Sequence, residues 1–286
     1  MARTEAIKIF LENGVDEAQL AEIYGGVIEN FEADAVSIAL KAKNAENVSA
    51  GSAEFKRFEN AVTKAYGTAR TAGAGAYLET KPVVVPIATH REIVEEFRKA
   101  DVQAYGIPSL LALRAENHPR QMVRELDTEF FKKAYSTGTQ FVPVGATIQL
   151  KVEELIVKLE TISNSFIDGV DREDIAVVLT PANASALRTA IDTMLVQGNE
   201  IGNGLLGKFH GVDIYVSNRL PKGALQVVDM VGMVKGAIAQ PVLLADQYAV
   251  EKIPLSNDFA TELFFDYGTA PLMADTIFYV GDLYVA

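Results

Sequence analysis

The chain has 286 residues, 49% of them hydrophobic and 22% charged, with 38 acidic against 26 basic side chains and a formal net charge of −12. That length allows one large domain or two smaller ones, and the composition is that of a globular chain rather than a disordered one. The absence of cysteine excludes disulfides, thiolate nucleophiles and sulfur-ligated zinc, and the acidic balance argues against a protein that grips DNA, since phosphate neutralisation by Lys and Arg supplies most of that affinity.

No apolar run approaches the ~18–20 residues that a membrane-spanning helix needs, so no membrane partner is expected. Residues 1–48 predict a helical arm. Ile7, Phe10 and Leu11 recur at helix spacing, and after Asn13-Gly14 a second stripe follows at Leu20, Ile23, Tyr24, Val27, Ile28 and Phe31. Gly25-Gly26 weakens that second helix by about 1 kcal/mol per glycine relative to alanine. Two ordinary amphipathic helices packed on one core fit the same pattern.

Residues 52–100 predict a long hairpin. Phe55 and Phe58 stand among charged residues, the small-residue stretch 67–76 follows, and the chain returns through Lys81-Pro-Val-Val-Val-Pro86. Pro82 and Pro86 cannot donate ladder hydrogen bonds, which puts the returning strand at an edge. Residues 101–150 carry the strongest helix, 108–135, with Val123, Leu126, Phe130 and Ala134 on its apolar stripe and Arg120, Arg124, Asp127, Lys132 and Lys133 around it. Pro119 is expected to kink or restart it, and Gly138 to end it.

From 151 to 240 the pattern is α/β. Val152, Leu155, Ile156 and Leu159 mark a helix, Ile175–Leu179 a buried strand, and Pro181 the first turn of the next helix. Strands are expected at 212–217, 225–230 and 237–244. The stretch 241–286 predicts further strands at 249–253, 261–267 and 275–284.

Chemistry is sparse. Gly202-Asn-Gly-Leu-Leu-Gly-Lys208 matches G-x-G-x-x-G and most of the phosphate-loop pattern. Both chemistries need a strand before the glycines and a helix after them, so that the helix N-terminus faces the phosphates. Here a helix is expected before and a strand after, and Phe209 replaces the magnesium-binding Ser or Thr. His90, His118 and His210 lie far apart and form no zinc-spaced pair. Asp168, Asp171 and Asp174 around Gly169 predict a solvated turn rather than a calcium loop. Glu95-Glu96 and Glu153-Glu154 are adjacent in sequence without being forced to share a site. No catalytic residue, cofactor site or metal site is expected.

The order of elements, and the stretches Glu125-Leu-Asp-Thr-Glu-Phe-Phe131, Val178-Leu-Thr-Pro-Ala-Asn183, Gly207–Asn218, Ala237-Ile-Ala-Gln-Pro-Val242 and Tyr267-Gly-Thr-Ala-Pro-Leu272, resemble the tailed-bacteriophage major capsid fold, shared with encapsulins and the herpesvirus capsid floor. The resemblance implies an α+β chain: N-terminal arm (1–48), extended-loop β-hairpin (52–100), peripheral domain with a spine helix (101–150, helix 108–135), axial α/β domain (151–240) and return strands of the peripheral domain (241–286). It implies a virion shell subunit assembled in the host cytoplasm. Such a subunit forms pentamers and hexamers of an icosahedral head around double-stranded DNA, without sequence-specific binding. Since no long acidic or coiled-coil leader precedes residue 1, a separate scaffolding protein is expected, with a portal and decoration proteins as further partners.

The hairpin charges Glu54, Arg57, Lys64, Arg70, Glu79 and Lys81 are expected to meet complementary charges on adjacent subunits, and Phe55 and Phe58 to bury against a neighbour or the spine helix. Some relatives crosslink a hairpin lysine to a neighbour's asparagine; Lys64 and Lys81 lie in the right region, but no partner asparagine or assisting acid can be matched to them. Two alternatives are an encapsulin-type compartment with enzyme cargo and, in a different class, an α/β nucleotide-binding enzyme using Gly202–Lys208.

Overall fold

A computed structural model describes residues 35–43, 47–49, 51–58, 80–114, 117–164, 166–192, 205–222, 226–244, 249–253, 256 and 258–283. The expected helices before residue 35 and the hairpin tip lie outside these. The first described element is a short helix, α1 (Val36–Leu40). Strands β1 (Asn47–Ser49), β2 (Ser52–Phe58) and β3 (Thr80–Pro86) follow and form an antiparallel sheet in the order β1-β2-β3. Pro82 and Pro86 thus sit on an edge strand, where a missing N–H costs least.

The expected hairpin span of 52–100 is too long. Strand β4 (Thr89–Phe97) leaves the hairpin and pairs along its whole length with a distant strand, from Phe97↔Phe259 to Thr89↔Tyr267. The physical reason is burial: Ile93 and Phe97 pack against a core that the hairpin does not possess.

Helices α2 (Lys99–Tyr105), α3 (Ile107–Arg114) and α4 (Asn117–Thr137) come next. The stretch 108–135 is therefore two helices, with the restart that Pro119 led one to expect. Helix α4 restarts so that Pro119 falls in its first turn, where its absent N–H has no intrahelical partner to lose. Gly138 follows α4, and a Cβ there would lie 2.7 Å from the Ala134 carbonyl oxygen.

Beyond β5 (Thr139–Gln140) and α5 (Ile148–Glu160) lie β6 (Ile175–Leu179), α6 (Pro181–Asp192), β7 (Leu205–Phe209), β8 (Val212–Val216) and β9 (Gln226–Val234). The last elements are β10 (Ile238–Ala239), β11 (Val242–Leu244), β12 (Ala249–Lys252), β13 (Phe259–Tyr267), β14 (Ala270–Pro271) and β15 (Ile277–Leu283). The strand expected over 237–244 is broken by Gln240-Pro241, and the one expected over 225–230 runs on to Val234.

Two sheets dominate. The six-stranded sheet runs β5-β15-β9-β6-β8-β7, with β6/β8 and β5/β15 parallel and the rest antiparallel. All five residues of β6 are fully buried. Side chains alternate between faces: Ile175, Val177 and Leu179 pack with Leu155, Ile156 and Leu159 of α5 and Leu187 of α6. Ala176 and Val178 pack on the other face with Phe130, Phe131 and Ala134 of α4 and with Val36 and Leu40 of α1. The four-stranded sheet centres on β13, with β4 on one side and β11 and β12 on the other. Its Leu263, Phe265 and Tyr267 cover Met122 and Leu126 of α4 and Leu111 of α3.

The main strands of 241–286 divide between the two sheets. Strands β11 to β13 build the four-stranded sheet, whereas β15 joins the six-stranded one, in register Ile277↔Met233. Buried Ile277, Phe278 and Val280 find both faces of that sheet covered by helices, which suits a strand so apolar.

Candidate assembly surface

The hairpin base rests on the rest of its own chain. Alternation along β2 turns Ala53 and Phe55 inward, where they form a small core with Val85 and Ala239, backed by Ala42, Val83, Ala270 and Leu272. Gly268 makes this approach possible, because a Cβ there would stand 2.0 Å from the Pro86 carbonyl oxygen. Arg57 donates to both carboxylate oxygens of Asp275, at 3.2 and 3.3 Å, and its guanidinium lies 4.4 Å from the Phe166 ring centroid. Asp275 also accepts from the Asn164 amide.

Of the residues expected to face neighbouring subunits, Phe55 and Arg57 thus find partners inside the chain. Glu54 is half-buried on β2. Phe58 pairs with Thr80, and Lys81 with Arg57, in the β2–β3 register. Lys64, Arg70 and Glu79 lie outside the described residues.

The remaining charged clusters act as struts between elements. Arg91 of β4 meets Glu125 of α4 at 2.8 Å, and the Tyr267 hydroxyl donates to the same carboxylate at 2.9 Å. Burial, then that bond, pushes the Tyr267 hydroxyl up to about 12. Glu95 bonds to Arg114 and lies 3.0 Å from His118 Nε2. Burial alone would raise its carboxyl, but the bonds from Arg114 and His118 together bring it below its usual value. Glu96, its neighbour in sequence, is exposed, so β4 sends the two carboxylates to opposite faces.

On the six-stranded sheet's side, Arg172 ties Glu160 at 2.6 Å to Glu153 at 3.0 Å, and His210 Nδ1 stands 3.0 Å from Glu153. Among the described residues, no three or more His, Asp or Glu converge as a metal site would require.

Solved structures similar to this chain include phage capsids. The capsid of Ralstonia phage GP4 matches with a TM-score of 0.61 at 12% identity, over 87% of this chain and 91% of that one. The capsid of cyanophage P-SCSP1u matches at 0.56 and 16% identity, over 84% and 86%, and the mature capsid of bacteriophage PhiM1 at 0.53 and 15% identity, over 85% of each chain. The chain has the tailed-phage major capsid fold. No protein-family model matches the sequence, and neither does any curated protein.

Within this capsid fold, the Gly202–Lys208 stretch is no phosphate cradle over its described part. Leu205–Phe209 is a strand, antiparallel to β8, and Lys208 points its amine to within 3.7 Å of Asp213. The helix that would aim N–H groups at a phosphate does not follow.

Sequence reasoning missed two polar residues. Asp127, taken above for one of the polar residues around the stripe of α4, is only 3% exposed, and its carboxylate accepts the Ser37 N–H at 2.9 Å. The signal was positional, since Asp127 stands four residues from both Val123 and Phe131 and shares their face. Gln240 is buried too, donating to the Leu126 carbonyl at 2.9 Å and to Thr269 at 3.3 Å.

Apolar side chains face outward on the four-stranded sheet. Val94, Phe264 and Leu243 are 51%, 43% and 38% exposed. By register, Phe264 is a diagonal neighbour of both Val94, which is opposite Glu262, and Leu243, which is opposite Asp266. The three form an oblique apolar line across β11, β13 and β4. Val142 and Val144, just before α5, are 74% and 92% exposed.

Proposed function

We propose that this chain is the shell subunit of a tailed-phage head, assembling with itself into pentamers and hexamers that enclose double-stranded DNA. The observation that carries the reading is the capsid likeness, which spans most of the chain rather than one motif. The chemistry of the described residues is consistent with it, since the charged clusters are ion pairs between elements and suit a structural role. Helix α4 would be the spine, the six-stranded sheet most of the axial domain, and the four-stranded sheet the peripheral one.

In this reading the subunit works through surface. Closed shells repeat one contact set by rotation, and the outward apolar line and the hairpin supply surface that a solitary subunit leaves wet. A separate scaffolding protein and a portal are the partners proposed for such a shell, with a decoration protein as an optional third, and the virion is its destination.

The test is sedimentation and electron microscopy of the purified full chain, with and without a co-expressed scaffold. Rings or closed particles are expected. A compact monomer under every condition would sink the reading.

A further inference from the structure

We propose that one exposed ridge of helix α4 touches the phosphate backbone of the enclosed DNA, without regard to base sequence; the inference rests on the shell reading above. Two faces of α4 are committed to the two cores. The helix leaves to solvent a row of residues four apart, Arg120, Arg124, Thr128, Lys132 and Ser136, all five of them exposed. Residues at that spacing stand one above the other on a helix, with Cβ atoms about 5–6 Å apart. The row has three cations and two hydroxyls, with no carboxylate and no large apolar side chain, in a chain of net charge −12.

Two properties of the row select duplex DNA as its partner. A protein partner needs apolar surface to bury, because the centre of a protein interface is depleted in charge, and this row offers none. The oblique line of Val94, Phe264 and Leu243 is surface of that other kind. The cations are also regularly placed, with Arg124 about 6 Å beyond Arg120 along the axis and Lys132 about 12 Å beyond Arg124. Each strand of a duplex presents one phosphate per about 3.4 Å of its axis. A helix lying along the backbone therefore brings every one of these long side chains within reach of a phosphate, and the guanidinium fork suits phosphate oxygens.

The carboxylates beside the row are already engaged. Glu125 pairs with Arg91 and accepts from Tyr267, and Glu129 lies 3.0 Å from Lys132. Arg120 and Lys132 each interact within the chain and must exchange that interaction for a phosphate, which makes Arg124 the principal anchor. The acidic balance of the whole chain keeps the contact weak, as a wall that holds DNA without gripping it requires.

The test is binding of the purified full chain to a short mixed-sequence duplex, followed by anisotropy as salt is raised. The logarithm of the binding constant should fall with that of the salt concentration along a slope of about 2–3, at about 0.9 per phosphate neutralised. Arg124→Ala should reduce the slope by about 1, and Arg124→Lys should keep it. Arg188→Ala, which removes an exposed arginine of α6 instead, should leave it unchanged. Absence of binding at low salt, a parental slope in Arg124→Ala, or an equal reduction in Arg188→Ala overturns the inference. So does competition by polyglutamate as strong as that by duplex of equal charge, since the row would then take any polyanion, an acidic protein included. None of these outcomes touches the shell reading, which stands or falls on particles.

A second measurement needs no variant. The Lys132 side chain is 66% exposed, and its acylation, read by mass spectrometry, should slow when duplex is present, whereas that of Lys158 on α5 should not. Equal rates at Lys132 with and without duplex overturn the proposal. Duplex bound on this row by a chain that never forms particles would sink the shell reading alone.

Discussion

The six-stranded sheet and the hairpin base are both built of β-strands, yet they are stabilised in different ways. The first buries all of β6 and closes both faces with its own helices. The second has, among the described residues, a cluster of four buried ones, Ala53, Phe55, Val85 and Ala239, one of them borrowed from β10. Packing density of the first kind supports a fold alone. A core that small can hold a hairpin base in place but adds little to the stability of a fold. The shell reading proposed above assigns fold stability to the first and contact surface to the second.

The most severe test of that separation is deletion of residues 67–76. Particle formation should be lost, while the melting temperature of the unassembled subunit stays within a degree or two of the parent. Normal particles would show that the hairpin takes no part in assembly. An unfolded subunit would show that the segment belongs to a core.

Next in size is Leu155→Ala. Leu155 is fully buried, and its side chain would lie 2.9 Å from a Cβ at Gly232, so truncation opens a void where helix and sheet touch. A loss of about 2–5 kcal/mol in denaturant unfolding is expected. A loss well below that would mean that the sheet is as thinly packed as the hairpin base.

Asp127 gives a smaller effect with a definite sign. Burial, partly offset by the bonds from Ser37, holds its carboxyl above the ordinary 3.8. Its contribution to stability is therefore full below 3.8 and is lost as pH rises through the elevated value. Asp127→Asn keeps an acceptor for the Ser37 N–H without the buried charge, so the variant should gain on the parent as pH rises through that window. Glu95 has the opposite sign. Held below its ordinary 4.5, it contributes above that value and loses the contribution as pH falls. Unfolding curves of parent and Asp127→Asn that stay parallel across pH would contradict the assignment.

The smallest effect is expected at Arg57→Ala. The Asp275 carboxylate is 41% exposed, which limits the ion pair, and the stacking over Phe166 adds a comparable amount. Together they should contribute about 1 kcal/mol, seen as earlier local opening of β2 by hydrogen exchange. Loss of particles from this substitution alone would instead point to Arg57 engaging a neighbour in the assembled state.

The elements whose identity could be read from sequence are those with strong local signals. Ile175–Leu179 is an unbroken apolar run before Pro181, and α4 has a helical stripe that Pro119 can only enter in its first turn. Sheet membership was not legible. The apolar alternation of Phe259–Tyr267 and the buried run Ile277–Val280 would suit either sheet, and what separates them is pairing to β4 and β9, many residues away. Strand β7 was hidden by Gly207, which with Gly202 and Gly204 before it also matches a nucleotide loop. At the hairpin, the residue types that read as contacts for neighbours, Phe55 and Arg57, meet partners from residues 166, 239 and 275, which no local pattern brings together.

Helix α4, 21 residues and about 31 Å long, supplies Met122 and Leu126 to one core and Phe130, Phe131 and Ala134 to the other. Neither sheet can melt without stripping half of the stripe on which the other half of the helix depends. The two sheets are thereby tied into one cooperative unit, and a calorimetric scan of the unassembled subunit should pass through a single transition. A half-molten subunit, with one sheet native and the other open, has no low-energy place in this architecture.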